Sequence, residues 1–354
     1  DVTGERALEW VKSQNAVSTQ ELEGAPEFET IRSNLLAILD SKERIPYVAK
    51  HGAFFYNFWR DEKNPRGVWR RTTLGEYRKA APAWEVVLDL DRLAEEEKEN
   101  WVWKGYSVLY PSYDRCLVFL SRGGADATVV REFDLKQPGF VAGGFVLPEA
   151  KSDVAWRNRD TLYVGTDFGP GSLTTSGYPR IIKQWRRGTP LTSAQTVFEG
   201  KAEDVRVDVS VVHDHGFTYE LIRRAKTFFT SEDHVRRGDE WVKINKPDDA
   251  RLSTFADQLL LRLRSDWTVD KQTFPAGALV GADFESCLRG QPVFEALYLP
   301  SERRSLAGTT DTKHYLILTE LDNVRNRLQA LKRENGKWTR APIATPEFGS
   351  VSIN

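Results

Sequence analysis

RIPYVAKHGAFFYNFWRDEKNPRGVWRRTTL, residues 44–74, is the stretch whose reading decides the fold. In its first half Phe54, Tyr56 and Phe58 fall on one side of an extended chain, and Phe55, Asn57 and Trp59 on the other, because side chains alternate along a strand. Rings on both sides predict a strand covered on both faces. Asp61-Glu62-Lys63-Asn64-Pro65 interrupts the run with turn-forming residues, and Gly67 precedes a second extended run, Val68-Trp69-Arg70-Arg71-Thr72-Thr73. The pair reads as a hairpin in an all-β domain. Two neighbouring core strands explain this spacing more simply than a binding site does.

Upstream, the periodicity changes. Ala7, Leu8, Val11 and Asn15 share one side of residues 5–16, and Phe28, Ile31, Leu35, Ile38 and Leu39 recur at helical spacing in residues 27–39. Two amphipathic helices are expected, with Pro26 in the first turn of the second and Ile45-Pro46 stopping helical structure. Downstream, short extended runs alternate with Gly, Pro, Asn and Asp, and the one further helix expected is at 91–100, with Leu90 and Leu93 facing inward. Expected strands include 84–90, 101–110, 116–120, 128–133, 161–164, 180–185, 205–212, 217–222, 227–230, 259–263 and 327–331. Strand starts recur near Ile45, Trp101, Val154, Val205, Leu252 and Leu306, a period that fits four-stranded β-propeller blades.

With 354 residues, 40% hydrophobic and 29% charged, the chain is long enough for one large β domain and is too apolar for a disordered one. Its 50 Lys plus Arg balance 51 Asp plus Glu, so no global field favours nucleic acid or an anionic membrane, and neither is expected as a partner. The longest apolar stretches, Gly139 to Pro148 and Pro275 to Ala282, are far short of the ~20 residues of a membrane helix. Cys116 and Cys287 are distant and outside any metal spacing, so both are expected to be buried thiols. Residues 1–6 carry no secretory n-region, which points to the cytoplasm, a periplasmic location staying open through a leader already removed. Methionine is absent throughout, position 1 included, so a portion of a longer product is expected.

Catalytic chemistry is not legible. Gly169-Pro170-Gly171-Ser172-Leu173 lacks the second glycine of a nucleophile elbow and reads as a β-turn. His213-Asp214-His215 could place two imidazoles on one side of a strand, but no third metal ligand is near, and a solvated loop is the simpler reading. The pairs Arg70-Arg71, Arg186-Arg187, Arg223-Arg224 and Arg236-Arg237 are expected to make ordinary surface ion pairs. No catalytic, cofactor-binding or metal-ligating residue is therefore assigned, and no cofactor is expected.

The motifs nevertheless resemble a known family. Leu39 to Tyr47, Tyr56-Asn57-Phe58-Trp59-Arg60-Asp61 and Asn64-Pro65-Arg66-Gly67-Val68-Trp69-Arg70-Arg71-Thr72-Thr73 are similar to the N-terminal part of the prolyl oligopeptidase family. So are Glu99 to Trp103, Leu120 to Asp126, Glu132-Phe133-Asp134, Thr166-Asp167-Phe168-Gly169 and Ser176-Gly177-Tyr178-Pro179-Arg180. The resemblance implies a serine endopeptidase in which a seven-bladed β-propeller gates access of short proline-containing peptides to an α/β-hydrolase domain. It implies that residues 1–41 form an N-terminal helical arm packing on that hydrolase domain and residues 42–354 the propeller, about six blades of which are present. No triad residue is expected in this chain. A stand-alone propeller that binds a ligand or partner without peptidase activity is the alternative.

Overall fold

The chain leaves helical structure before Ile45 and is thereafter mostly β, in a computed structural model that describes residues 4–346, 350, 351 and 353. The expected end of the last repeat, Asn354, lies outside the described residues. Helix α1 (Glu5–Glu23) runs past the expected residue 16, because no helix breaker intervenes before Gly24, whose N–H closes on Gln20 O at 3.2 Å. Helix α2 (Phe28–Leu39) starts after Pro26, which stands in the connecting turn and not in the helix.

Five sheets are antiparallel meanders of four strands paired in sequence order, and one has five strands. The first contains β1 (Ala49–His51), β2 (Phe54–Asp61), β3 (Asn64–Thr73) and β4 (Glu85–Asp89). The second contains β5 (Trp101–Val108), β6 (Arg115–Arg122), β7 (Thr128–Asp134), β8 (Gly139–Phe140) and β9 (Val146–Ala150). The third contains β10 (Asp153–Asn158), β11 (Thr161–Gly165), β12 (Ile181–Arg186) and β13 (Gln195–Glu199). The fourth contains β14 (Arg206–Asp214), β15 (Phe217–Ala225), β16 (Ser231–Arg237) and β17 (Glu240–Lys243). In the fifth, β18 (Arg251–Phe255) and β19 (Gln258–Arg262) precede a separate hairpin, β20 (Trp267–Val269) and β21 (Gln272–Phe274), before β22 (Leu279–Asp283) and β23 (Glu295–Tyr298). The sixth contains β24 (Arg304–Asp311), β25 (Leu316–Asp322), β26 (Arg325–Glu334) and β27 (Lys337–Ile343). Each sheet thus starts within a few residues of an expected repeat position.

Local differences have physical causes. The opening hairpin turns at Glu62-Lys63, because Asp61 Oδ1 accepts the N–H groups of Lys63 (3.0 Å) and Asn64 (2.9 Å), so Asn64 and Pro65 belong to β3. Residues 227–230 are a turn, not the expected strand: Thr227 Oγ1 accepts from the N–H groups of Phe229 and Thr230 and outweighs their β propensity. Besides the expected α4 (Leu90–Glu97), two short helices occur, α3 (Leu74–Tyr77) and α5 (Phe284–Leu288). Thr73 and Asp283 start them by accepting the N–H groups of Glu76 (3.3 Å) and Ser286 (2.7 Å).

By internal contacts the chain forms two units. One takes residues up to Gly105 with Phe119–Ala125 and Phe133–Phe140; the other takes Tyr106–Val118, Asp126–Glu132 and Val141 onward. In the first, Trp69 is 1% exposed and its ring lies 5.3 Å from that of Tyr56 and 5.2 Å from that of Trp103. In the second, the core lies between successive sheets. Leu259 and Leu261 of β19 pack with Tyr219 and Val235 of the fourth sheet, while Leu260 packs with Leu306 and Leu318 of the sixth. Alternation thus sends one Gln-Leu-Leu-Leu-Arg run into two cores, each fully buried leucine contributing about 2 kcal/mol.

Candidate functional site

In the first unit neither α1 nor α2 contains a buried residue. Trp10, Leu22 and Ile38 are 64%, 65% and 65% exposed, and Val17, Ile31, Leu35 and Leu39 are exposed with them. Together they leave an amount of apolar surface in water that is unusual for an amphipathic pair. The same unit carries a cleft of about 850 Å³ beside residues 40–46, lined by Trp59, Arg70 and Trp84.

In the second unit the sheet registers build a row of charge. Asp208 of β14 pairs with Arg223 of β15, which pairs with Asp233 of β16, so the three side chains share one face. Arg223 Nε meets Asp233 Oδ1 at 2.8 Å, and the buried Lys246 ammonium meets Asp233 Oδ2 at 3.0 Å. Asp153, the first residue of β10, accepts the N–H of Val209. Burial pushes its carboxyl up to about 7, and the Asp208 charge adds to the effect. Burial likewise raises Asp208, against the opposing pull of Arg206 and Arg223. Two clefts flank this row, of about 360 and 370 Å³, both lined by Asp208 and Arg223. Of the row, only Arg223 was singled out in the sequence, as half of the Arg223-Arg224 pair; the available signal for the rest was the alternation of Arg206, Asp208 and Ser210 with Val207 and Val209.

The sequence candidates are placed as follows. His213 and Asp214 end β14, but His215 occupies the turn at φ 50°, so the two imidazoles do not converge. His213 stacks on Tyr110 with ring centres 4.3 Å apart. His215 is not merely solvated: Nδ1 bonds Asp214, and Nε2 lies 2.9 Å from Thr312 O. Desolvation lowers its pKa, but the Asp214 carboxylate and the Thr312 carbonyl outweigh that and raise it. Asp311 brings a third metal-type donor close, yet an imidazole donating from both nitrogens has no lone pair for a metal. Gly169 to Ser172 does form the expected turn (Ser172 N–H to Gly169 O, 3.0 Å), and the buried Ser172 hydroxyl donates to Gly169 O at 2.6 Å.

Arg237 pairs with Glu285 on the surface as expected, but three other arginines of these pairs do not make ordinary surface ion pairs. Buried Arg71 meets Glu85 at 2.6 Å, Arg187 meets the fully buried Glu132 at 2.7 Å, and Arg224 meets the buried Asp204 at 2.7 Å. The face opposite the core of one sheet is here covered by further protein, so alternation places these guanidinium groups in shielded sites. Cys116 is buried as expected, whereas Cys287 is only partly so.

The family sequence profile for the prolyl oligopeptidase N-terminal beta-propeller domain matches residues 1–354. An uncharacterised peptidase of Sinorhizobium fredii is 35% identical over 367 residues, spanning 100% of this chain and 50% of the relative. One from Rickettsia prowazekii is 29% identical over 361 residues, 97% of the chain and 50% of the relative. The chain therefore spans about half the length of the curated relatives it matches. Among solved structures, a post-proline cleaving enzyme from Rickettsia typhi superposes with a TM-score of 0.92 at 28% identity, over 98% of this chain and 53% of that one. Oligopeptidase B from Leishmania major shares the fold, with a TM-score of 0.70 at 12% identity over 97% and 48% of the two chains.

Proposed function

This chain belongs to the prolyl oligopeptidase family as its N-terminal β-propeller domain, and from that premise we propose that it gates access of short proline-containing peptides to a serine-hydrolase domain of the same protein. The observation carrying this reading is the match of the whole chain to the family's N-terminal propeller domain and to half of peptidases about twice as long. The exposed apolar faces of α1 and α2 support it, because a hydrolase domain is a cover of suitable size. In this reading residues 1–41 are the arm that docks on the hydrolase, residues 42–354 are the propeller, and the complete propeller has seven blades. The chain contributes no nucleophile: the near-elbow serine, Ser172, has its hydroxyl held within a turn. No helix of the described residues is long and apolar enough to cross a membrane. The two unpaired thiols fit a reducing compartment, and the reading takes the protein to be cytoplasmic.

The test is covalent labelling by a fluorophosphonate together with hydrolysis of a proline-containing chromogenic peptide. The protein with its second half is expected to label and to cleave on the carboxyl side of proline, and residues 1–354 alone are expected to do neither. Labelling of residues 1–354 would overturn the assignment. A stop codon close after Asn354 would favour the stand-alone binding module.

A further inference from the structure

The cleft of about 850 Å³ in the first unit is built around one guanidinium group. Arg70 lies between two indoles, its guanidinium carbon 4.4 Å from the Trp59 ring centre and 4.3 Å from that of Trp84. A second cation, Arg44, stacks on Trp59 at 4.4 Å. The Arg70 Nε donates to Asn57 Oδ1 at 2.9 Å, which sets the rotation of the group in its slot. Among the described residues no carboxylate pairs with Arg70. The nearest candidate, Asp61, spends its oxygens on Trp59 Nε1 (3.0 Å) and on the N–H groups of Lys63 and Asn64. Burial pulls the Arg70 pKa down to about 10, with the Arg44 charge adding to that and Asp61 opposing it. A cation this shielded and this close to another cation is costly unless something anionic completes it.

From the Trp59–Arg70–Trp84 sandwich we propose that this cleft is a carboxylate-binding site, in which the Nη1 and Nη2 edge of Arg70 takes a peptide carboxylate in a bidentate pair. Stacking holds the fork flat and Asn57 fixes its direction, so little entropy is lost when the ligand arrives. Pro46, Pro82, Ala80 and Ala81 line one part of the wall and fit an apolar residue beside the carboxylate, while Lys42, Lys63 and Lys79 interspersed with Asp40, Glu43 and Glu62 line the rest. The carboxylate can come from a soluble peptide or from an acidic residue in the second half of the protein, since the same chemistry serves both. The inference does not depend on peptide cleavage.

The test uses the full-length protein and calorimetric titration with N-acetyl-alanyl-proline and with its C-terminal amide. If a soluble peptide is the source, the free acid binds at least about tenfold more tightly than the amide, and Arg70→Gln abolishes that preference. Arg70→Lys, which keeps the charge without the fork, keeps only part of it and serves as the variant of choice if Arg70→Gln does not fold. If the second half supplies the carboxylate, neither peptide binds the native protein, and both Arg70 variants speed proteolytic separation of the two halves several-fold. Equal affinity for acid and amide, or no peptide binding together with unchanged separation in both variants, overturns the proposal.

Discussion

Asp153 and His215 are both held above their ordinary pKa, and each carries a pH prediction. The folded Asp153 carboxyl titrates near 7, above its unfolded value, so the unfolded chain gives up that proton first. Stability should therefore fall as pH rises from about 4 to about 7, by at most about 1.4 kcal/mol per unit. Asp153→Asn keeps an acceptor for the Val209 N–H. It should stabilise the protein at pH 8 by on the order of 2 kcal/mol and flatten that fall, as read from urea midpoints. His215 is raised, so its contribution is complete below its unfolded pKa and is lost as pH climbs through the folded value. His215→Gln should lower the unfolding free energy at pH 5.5 by about 1 kcal/mol, read from urea midpoints, and leave it nearly unchanged at pH 9. Gly67 makes a steric point: at φ +110°, a β-carbon there would stand 2.3 Å from the Phe58 ring, which is itself stacked on Trp103. Gly67→Ala should cost at least about 2 kcal/mol, and an unchanged thermal midpoint would remove that reading of the hairpin.

Among the elements, the long helices α1 and α2 have no buried side chain to lose. Ile31→Glu with Leu35→Glu should therefore shift the stability of residues 1–354 by less than about 0.5 kcal/mol. The same pair in the protein with its second half should loosen the two halves, read as faster proteolysis between them. The turn at 227–230 shows an element misread for a definable reason. Its Thr-Phe-Phe-Thr composition favours a strand, but a local side-chain acceptor closes the turn and leaves Phe228 88% exposed. The ion pair joining the loop after β12 to β7 is the opposite case, a long-range constraint. Glu132 is 1% exposed and receives both Nη groups of Arg187, at 2.7 and 3.0 Å. Arg187→Ala leaves that buried carboxylate with Arg115 at 3.8 Å and the Phe145 N–H at 3.0 Å and should cost about 3 kcal/mol, whereas Glu132→Gln with Arg187→Met should recover most of the loss.

Across the whole molecule, the proposed function predicts no fluorophosphonate labelling of residues 1–354 and labelling of a protein that also carries the hydrolase domain. The repeat was legible because each sheet buries both faces, so every repeat has to supply short β-branched and aromatic runs between turn residues. The starts near Trp101, Val154, Val205, Leu252 and Leu306 stand within a few residues of the first strands that form there. The two arm helices and α4 were legible from their period, and the family from the Asn-Phe-Trp-Arg-Asp and Asn-Pro-Arg-Gly-Val-Trp motifs of residues 57–69. The charged clusters were not legible. Asp153 meets the Val209 N–H from a different sheet, Asp208, Arg223 and Asp233 share a face only through register, and Arg70 finds Trp59 on β2 and Trp84 just before β4. By itself the sequence determined the period, the hairpin at residues 54–73, the helical arm and the family, because local alternation and turn chemistry act over a few residues. Only the tertiary structure decided which arginines are shielded and which carboxylates are raised by burial. It also showed that the opening aromatic hairpin holds one guanidinium between two indoles, because burial and charge pairing depend on residues far apart in the chain.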